Sequence, residues 1–514
     1  MRAPTAAALP VFLAHAALAA PATSSLWQRA PSLAACIQGN NLQPVLPSSS
    51  NWTQDSAAYN QRLQPSPAAI LYPSIPSDIA SALSCAAASN VSVSARGGGH
   101  SYASYGLGGD DGALVIDLNA FREVDVDESG IAKVGAGNRL GDIYLALDDA
   151  GWAFAAGTCP GVGIGGHAGF GGFGLPSRMW GFTSDQVVGY DVVLANGTVL
   201  SNVTRSSNAD LFWGLNGAAP NFAIVTSYYI QASHQPANTV VFSYTYTSPS
   251  TVNAATAFHS FEQFGNLSAP ANLGVFATIG VDSLEIKGVW YGPRGEFDQV
   301  IQGLTDELPP GYDASVNEMS WIDATKNLAG DSLDTQGKML QSRDSFYAKS
   351  LMTPSTIPLD VAVIEKFIDY LWTSDTTTNW FIETNLYGGQ YSALNEVSLD
   401  DSSFGHRDKL LNFQLYASSP TYGNPYPEDG VSFVQGMFDT LVDGMTSASP
   451  AWSTDSTSPD GYAAYINYVD PNFSQEEVKN LYWGSQYDRL AQLKAQYDPT
   501  QLLKNPQGIE PAST

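Results

Sequence analysis

Residues 94–109 read SARGGGHSYASYGLGG, and three consecutive glycines stand here directly before a histidine, His100. Residues 91–95 alternate between apolar and small polar side chains, which predicts a half-buried strand that ends at the glycines. Glycines allow positive φ and let several backbone N–H groups approach a bound anion such as a pyrophosphate. A plain surface turn would contain the same glycines, but it would not explain a histidine at its end. Other parts of the sequence are needed to distinguish a surface turn from an anion-binding loop.

A second glycine-rich stretch surrounds Cys159. Residues 157–174, GTCPGVGIGGHAGFGGFG, contain nine glycines and one proline, which predicts a second close-approach loop and not a helix or a core strand. A buried, inert cysteine is the alternative. No further cysteine or close histidine pair supplies a zinc-like ligand set, so we expect no metal. Neither loop has a protease nucleophile motif, and the remaining candidate is a large anionic cofactor that lies along both loops.

Length and charge limit the partners. The chain has 514 residues, which allows two to four domains or one large composite fold. It has 49 acidic and 22 basic residues and a net charge of −27, so it repels nucleic acids and anionic membranes. We expect a monomer that binds neither.

The N-terminus predicts secretion. Arg2 precedes the apolar stretch ALPVFLAHAALAA, which ends in small residues before Pro21. This is the layout of a signal peptide over residues 1–20, and the stretch is too short to span a membrane. Six N-glycosylation sequons agree with an extracellular glycoprotein: Asn51, Asn90, Asn196, Asn202, Asn266 and Asn472.

The three cysteines are Cys36, Cys85 and Cys159. In an oxidising compartment two of them should pair. Cys85 lies on a predicted helix, PSDIASALSCAAAS, that starts at Ser77 or Asp78. A Cys36–Cys85 disulfide would tie down the N-terminal arm, and it leaves Cys159 in its glycine-rich loop.

Three motifs together resemble the berberine-bridge-enzyme-like branch of the FAD-linked oxidases, and within it the fungal gluco-oligosaccharide oxidases. They are RGGGHS at 96–101, GTCPGVGIGGH at 157–167 and YINYVD at 465–470, and the resemblance runs from Cys36 to Gln507. It implies a bicovalent FAD whose 8α-methyl group is bonded to His100 and whose C6 is bonded to Cys159. The further cofactor contacts that it implies are Arg96, Gly97, Gly98, Gly99, Ser101, Gly163, Gly166, His167, Ile224, Tyr465 and Asn467.

The same resemblance implies a catalytic base, Tyr468, the second tyrosine of the YxNY motif. In the sugar oxidases an aspartate activates this tyrosine, whereas TNWFIETNLYGGQ has Asn385 at the matching position. Asn385 could orient Tyr468, and Glu383 on the same strand face could contact substrate or supply the missing charge. The other substrate contacts that we expect are Tyr102, Phe381 and Gln414. Packing tyrosines on a strand are the alternative reading of YINYVD.

The chain order fits a composite fold. Short strands among glycine turns occupy residues 65–235, and longer alternating strands follow, such as TVVFSYTYTS and LGVFATIGVDSLEIKGVWYG. The resemblance implies an α+β fold with a two-part FAD-binding domain of the vanillyl-alcohol-oxidase type and a substrate domain, an antiparallel sheet with helices on one face. We predict a signal peptide (1–20), an N-terminal arm of the FAD domain (21–64), the FAD-binding domain (65–235), the substrate domain (236–455) and a C-terminal segment returning to the FAD domain (456–514).

The function implied is a secreted oxidase that converts the anomeric hydroxyl of oligosaccharides to the lactone and reduces dioxygen to hydrogen peroxide. A small residue at Val162 goes with oxygen access in the family. Two alternatives stay open at this point. One is a flavin oxidase or cyclase of a small secondary metabolite, and the other is a non-catalytic secreted flavoprotein.

Overall fold

Glycine turns and short alternating runs divide the chain into many short elements, which the computed structural model describes for residues 32–330, 332–335 and 343–513. The predicted signal peptide lies outside these residues. The helices are α1 (Leu33–Gly39), α2 (Trp52–Asp55), α3 (Pro76–Ala88), α4 (Leu140–Asp149), α5 (Ile164–Gly169), α6 (Ser177–Trp180), α7 (Ala209–Ala218), α8 (Thr251–Leu267), α9 (Arg294–Thr305), α10 (Trp321–Ala329), α11 (Val361–Thr373), α12 (Gly430–Ala448), α13 (Gln475–Glu477) and α14 (Tyr487–Tyr497). Within the described ranges, none of them is both long and apolar enough to cross a membrane.

The strands form two groups along the chain. Those of the first group are β1 (Ala69–Leu71), β2 (Val93–Arg96), β3 (Leu114–Asp117), β4 (Val124–Val126), β5 (Ile131–Gly135), β6 (Trp152–Ala153), β7 (Val187–Leu194), β8 (Val199–Val203), β9 (Ala223–Gln231) and β10 (Ser233–His234). Those of the second group are β11 (Thr239–Thr247), β12 (Leu273–Gly280), β13 (Ser283–Trp290), β14 (Asp313–Met319), β15 (Phe346–Pro354), β16 (Asn379–Leu386) and β17 (Lys409–Ser418).

The first group of strands builds the part of the molecule that holds both glycine loops. A parallel sheet has the order β1-β3-β2, and an antiparallel sheet has the order β4-β5-β9-β7-β8. Helix α3 begins with Pro76, whose missing N–H costs nothing in a first turn. It buries an apolar face that includes Ile79 and Leu83. The predicted disulfide is present and joins Cys85 of α3 to Cys36 of α1, with 5.6 Å between the Cα atoms.

The second group forms one seven-stranded antiparallel sheet in the order β14-β11-β13-β12-β16-β17-β15. Alternation along β17 sends Phe413 to the helix side, where its ring packs 5.8 Å from that of Phe258 on α8. The neighbouring residue, Gln414, points to the opposite face and into a cavity. The predicted α+β class is therefore confirmed, with helices on one face of the sheet.

A buried arginine joins the two sheet systems. The Arg178 guanidinium, on α6, is fully buried and donates hydrogen bonds to four backbone carbonyls in the second group, those of Ala269, Pro270, Leu273 and Gly388. Burial lowers the pKa of Arg178 to about 10, so the group stays charged at neutral pH. Carbonyl dipoles thus compensate a buried charge, which fixes the second group of strands against α6.

Several local predictions were wrong. The strand before the glycines covers Val93–Arg96, helix α3 starts at Pro76, and the predicted strand 273–292 is a hairpin that turns at Asp282, where φ is +56°. The loop over 157–174 contains a short helix, α5, because Ile164, His167 and Ala168 supply side chains that can be buried. The tyrosine motif forms a 3₁₀ turn over Ile466–Tyr468, closed by a hydrogen bond from Tyr468 N to Tyr465 O, so the alternative of packing tyrosines on a strand does not apply. The predicted domain boundaries stay a prediction.

Removing the disulfide should lower the stability of the first sheet system. The two cysteines are 49 residues apart, and a loop of that length stabilises by about 4 kcal/mol in chain-entropy terms. We expect the Cys36→Ser/Cys85→Ser variant to melt several degrees below the wild type in a thermal scan. An unchanged melting temperature, together with free thiols at both positions of the wild-type chain, would contradict the pairing.

Candidate functional site

The two glycine-rich stretches contact each other backbone to backbone. A Cβ atom built on Gly98 would lie 2.2 Å from the Gly163 nitrogen, and one built on Gly163 would lie 2.1 Å from the Gly98 nitrogen. Real Cβ atoms do not approach backbone so closely, so both positions require glycine. The close approach predicted from the glycines exists, and at these two positions its partner is the other loop.

One side chain ties the loops together. Arg139, at the start of α4, is buried, and its Nη1 donates to Gly98 O at 2.9 Å and to Gly161 O at 2.5 Å. A backbone bridge between Arg139 and Gly163 adds to this contact. The guanidinium therefore sets the distance between the His100 loop and the Cys159 loop.

A cavity of about 590 Å³ opens along these loops and reaches the second sheet. Every residue predicted to bind cofactor or substrate, or to act in catalysis, lines it, and so does Val162. These residues are Arg96, Gly97, Gly98, Gly99, His100, Ser101, Tyr102, Cys159, Gly163, Gly166, His167, Ile224, Phe381, Glu383, Asn385, Gln414, Tyr465, Asn467 and Tyr468.

The two proposed attachment residues are uncharged. Burial and the nearby Arg139 lower the pKa of His100 to about 3, so its imidazole is neutral at physiological pH. The His100 Nε2 atom is buried and has no hydrogen-bond partner among the described residues. The Cys159 side chain is exposed to the cavity, while the enclosure of its thiol, followed by the charge of Glu383, raises its pKa to about 11.

Two polar residues of the cavity wall near the glycine loops already have protein partners. The Arg96 guanidinium pairs with Asp117 at 2.5 Å and also donates to the Asp55 carbonyl. Neutral His167, whose pKa burial lowers to about 4, accepts a hydrogen bond at Nε2 from Gly157 N at 3.1 Å. These contacts hold the cavity wall, and they leave the backbone of the loops to face a ligand.

The tyrosine motif lines the same cavity. The Tyr465 hydroxyl accepts hydrogen bonds from Phe173 N at 3.1 Å and from Asn467 Nδ2 at 2.9 Å, so it is fixed to the protein. Tyr468 is half-buried, and its ring stacks 5.9 Å from that of Tyr102. Burial, followed by the charge of Glu383, raises the pKa of Tyr468 well above its usual value of 10.

The second sheet supplies the opposite wall. Phe381, Glu383 and Asn385 alternate along β16 and therefore share one face. The Phe381 ring stacks on that of Tyr416, with centroids 4.8 Å apart, and Gln414 Nε2 donates to the Tyr102 hydroxyl at 2.6 Å. An aromatic pair beside amide and carboxylate groups fits a ligand that has both apolar faces and hydroxyl groups.

The hydrogen bond of Asn385 goes to Glu383. Asn385 Nδ2 donates to Glu383 Oε1 at 2.8 Å, and the hydrogen bonds of the described residues include none between Asn385 and Tyr468. Burial raises the pKa of Glu383, and the Asn385 hydrogen bond partly opposes this rise. Glu383 is also the one carboxylate among the described cavity-lining residues.

The site fits a flavin dinucleotide. The cavity is long, two glycine loops expose backbone along it, and a neutral histidine and a cysteine both face it. The unpartnered Nε2 of His100 leaves the imidazole unattached to any hydrogen-bonding side chain. The described residues contain no group of three His, Cys, Asp or Glu side chains that could hold a metal ion.

Comparison with known proteins decides the family. Residues 67–202 match the family described as FAD binding domain, and residues 464–510 match the family described as berberine and berberine like. The chain is 31% identical to the chitooligosaccharide oxidase of Gibberella zeae, over 95% of this chain and 96% of that one. It is 33% identical to the xylooligosaccharide oxidase of Thermothelomyces thermophilus, over 98% and 99%.

This chain belongs to the berberine-bridge-enzyme-like family of FAD-linked oxidases. A solved structure of the glucooligosaccharide oxidase from Acremonium strictum superposes with a TM-score of 0.86 at 31% identity, and the match covers 94% of this chain and 100% of that one. That enzyme carries a 6-S-cysteinyl, 8α-N1-histidyl FAD. The resemblance to the family and the vanillyl-alcohol-oxidase type of fold are thereby confirmed.

Sequence reasoning missed several residues of this oxidase site. Tyr416 could have been found, because it follows Gln414 by two residues in LLNFQLY and so shares its face. Arg139 and Tyr59 stand in the stretches GNRLGD and AAYNQRL, which have no motif of their own. Their roles depend on contacts far along the chain.

A methyl group at Gly98 should disrupt the paired loops of the oxidase. In Gly98→Ala the new Cβ meets backbone that cannot move aside, which costs about 3 kcal/mol or more. We expect a lower melting temperature and loss of protein-bound flavin absorbance. Gly295→Ala is the matched control, since its Cβ would meet no atom within 4 Å. Wild-type flavin content in Gly98→Ala would contradict the loop contact.

Proposed function

We propose that this chain is a secreted oxidase with a bicovalent FAD that oxidises the anomeric hydroxyl of oligosaccharides to the lactone and reduces dioxygen to hydrogen peroxide. The observation that carries the proposal is one cavity lined by His100 and Cys159 at the glycine loops, by Tyr468, and by the Phe381–Tyr416 aromatic pair on the second sheet. Relatives named for chitooligosaccharides, xylooligosaccharides and glucooligosaccharides support the substrate class.

The protein would hold the cofactor through the glycine loops and two side chains. FAD, when bound, accepts a hydride from the substrate carbon and delivers the electrons to dioxygen. His100 and Cys159 would attach it, and Arg139 keeps these two residues on one cavity. Neutral His100 keeps a ring-nitrogen lone pair, whereas Cys159 must lose its thiol proton to become nucleophilic.

Tyr468 would remove the proton of the anomeric hydroxyl as the hydride leaves the same carbon. It stands at the position of the base in the family motif and carries a titratable oxygen, and its ring is fixed between those of Tyr102 and Tyr465. Because burial disfavours the phenolate, Tyr468 is protonated in the free site, and ionisation is the costly part of the step. The charge of Glu383 adds to that cost.

The sugar would lie on the second sheet. The Phe381 and Tyr416 rings offer an apolar surface for the face of a pyranose, and Gln414 and Glu383 offer groups for its hydroxyls. Val162, which is small and lines the cavity, would leave room for dioxygen beside the cofactor.

Secretion and glycosylation belong to the same proposal. The sequon asparagines Asn51, Asn90, Asn196, Asn202 and Asn472 are exposed. Asn266 is half-buried, which leaves less room for a glycan than at the exposed sequons. We therefore propose glycans at exposed sequons and none at Asn266.

Peroxide release tests the proposal. Purified protein is supplied with cello-, chito- and xylo-oligosaccharides and with simple aromatic alcohols, and hydrogen peroxide and lactone are measured. We expect peroxide and lactone in equal amounts from at least one oligosaccharide series. Turnover of aromatic alcohols alone would instead support an oxidase of small metabolites.

Removing the hydroxyl of Tyr468 should slow flavin reduction. A general base contributes roughly 10²–10⁴-fold, and Tyr468→Phe keeps the ring and its packing. We expect that loss in the rate of flavin reduction measured by stopped flow, with the rate of reoxidation by dioxygen unchanged. Tyr462→Phe is the control, because Tyr462 lies six residues earlier and stacks on Trp452 outside the cavity. Reduction of Tyr468→Phe at the wild-type rate would make Glu383 the residue to examine as the base.

Neutralising Glu383 should shift the pH profile of flavin reduction to lower pH. Its negative charge raises the pKa of Tyr468, so Glu383→Gln lowers that pKa and the phenolate forms at lower pH. We expect the rising limb of the pH profile for flavin reduction to shift to lower pH, and Glu285→Gln, on the same sheet but outside the cavity, to keep the wild-type profile. An upward shift in Glu383→Gln would contradict this account.

The Asn385→Asp variant should behave differently. It places two carboxyl groups at hydrogen-bond distance, which share a proton and titrate as a pair.

A further inference from the structure

Tyr59 packs directly on the histidine proposed to attach the cofactor. It comes from the N-terminal arm, more than 40 residues before His100 in the chain, and its ring stacks on the His100 imidazole. The ring centroids are 4.3 Å apart and the planes are inclined by 26°. Both residues line the same cavity.

The backbone around Tyr59 is held from two sides. The carbonyl of Tyr59 accepts a hydrogen bond from Asp344 N at 3.2 Å. The next residue, Asn60, is buried, and its Nδ2 donates to Tyr102 O at 2.7 Å and to Phe346 O at 3.1 Å. The Tyr59 ring therefore has a fixed position relative to the His100 loop and to the second sheet.

His100 has few other constraints. Its Nε2 is buried without a hydrogen-bond partner among the described residues, so no carboxylate or carbonyl orients the ring through that atom. A histidine side chain has a broad second torsion angle, and the ring can turn unless packing prevents it. The stack with Tyr59 supplies that packing.

The Tyr59 hydroxyl stays protonated at ordinary pH. Burial raises the pKa of Tyr59 to about 12, and the Cys159 thiolate, once it forms at high pH, adds to this rise. Tyr59 lines the same cavity as both proposed attachment residues. The part of Tyr59 that contacts His100 is its aromatic ring, so we look for the role of Tyr59 there.

We propose that Tyr59 is a positioning residue whose ring holds the His100 imidazole in the orientation required for attachment to FAD. This inference rests on the bicovalent attachment in the proposed function. In that attachment a C–N bond replaces one C–H bond of the 8α-methyl group and the imidazole N–H bond. The two protons and two electrons released pass to the isoalloxazine ring and then to dioxygen, which leaves as peroxide. The ring orientation decides whether the nitrogen meets the methyl carbon.

The test measures attachment and uses no sugar. Tyr59→Phe keeps the stack and loses the hydroxyl, whereas Tyr59→Leu and Tyr59→Met lose the stack. Each is made in the wild-type chain and in Cys159→Ala, where all acid-stable flavin must be bonded to His100. Acid-precipitated flavin is divided by total bound flavin, and flavopeptides are identified by mass spectrometry. Trp152→Leu is the matched control, since Trp152 stacks on His234 at the same 4.3 Å but outside the cavity.

We expect Tyr59→Phe and Trp152→Leu to keep the full His100-linked fraction in the Cys159→Ala background. Tyr59→Leu and Tyr59→Met should bind FAD but lose at least about tenfold of that fraction. Full attachment in Tyr59→Leu would overturn the proposal, and so would an equal loss in Tyr59→Phe or failure of both non-aromatic variants to fold. A wild-type chain without His100-linked flavin would instead overturn the bicovalent attachment itself, whatever its activity on sugars.

Discussion

The arrangement of the site depends on the hydrogen bonds that Arg139 donates to the two glycine loops. One guanidinium nitrogen contacts the carbonyls of Gly98 and Gly161, and the loops touch where neither Gly98 nor Gly163 can carry a side chain. Hydrogen bonds from charged donors stabilise by about 1.5–3 kcal/mol each. This clamp places His100 and Cys159 on one cavity although they are 59 positions apart in the chain. The bicovalent attachment that we propose is possible only with that geometry.

Burial then determines which groups of the cavity are charged. It lowers the pKa values of His100 and His167 and raises those of Cys159, Tyr102 and Tyr468, so each of these groups is neutral near pH 7. A neutral histidine suits attachment, because its lone pair is available. A neutral tyrosine must ionise before it can accept a proton. The rate of proton removal therefore depends on how strongly the surroundings of Tyr468 disfavour its phenolate. Glu383 accepts a hydrogen bond from Asn385, and its charge opposes the ionisation of Tyr468. This pair is therefore the part of the site that most affects the pH dependence of flavin reduction.

The sequence predicted the parts of the site that stand in motifs. RGGGHS, GTCPGVGIGGH and YINYVD located His100, Cys159 and Tyr468. Period-two alternation placed Glu383 and Asn385 on one face, and the family resemblance implied Phe381 and Gln414. The sequence did not predict the backbone contact between Gly98 and Gly163. A glycine required by a bound ligand and a glycine required by a neighbouring loop cannot be distinguished in the sequence. Helix α5 was missed because the side chains of Ile164, His167 and Ala168 outweighed the three glycines of the same segment in deciding local structure. Tyr59 acts through a stack on a residue distant in the chain, which no local pattern encodes.

Flavopeptide mapping of the native, unmodified protein tests the central claim most directly. After unfolding and proteolysis, the account predicts one yellow species in which a single FAD joins the peptide that contains His100 to the peptide that contains Cys159. Its mass should equal the sum of both peptides and FAD minus four hydrogens, two for each bond formed. Flavin that leaves with the solvent, or that stays on one peptide alone, would contradict the account.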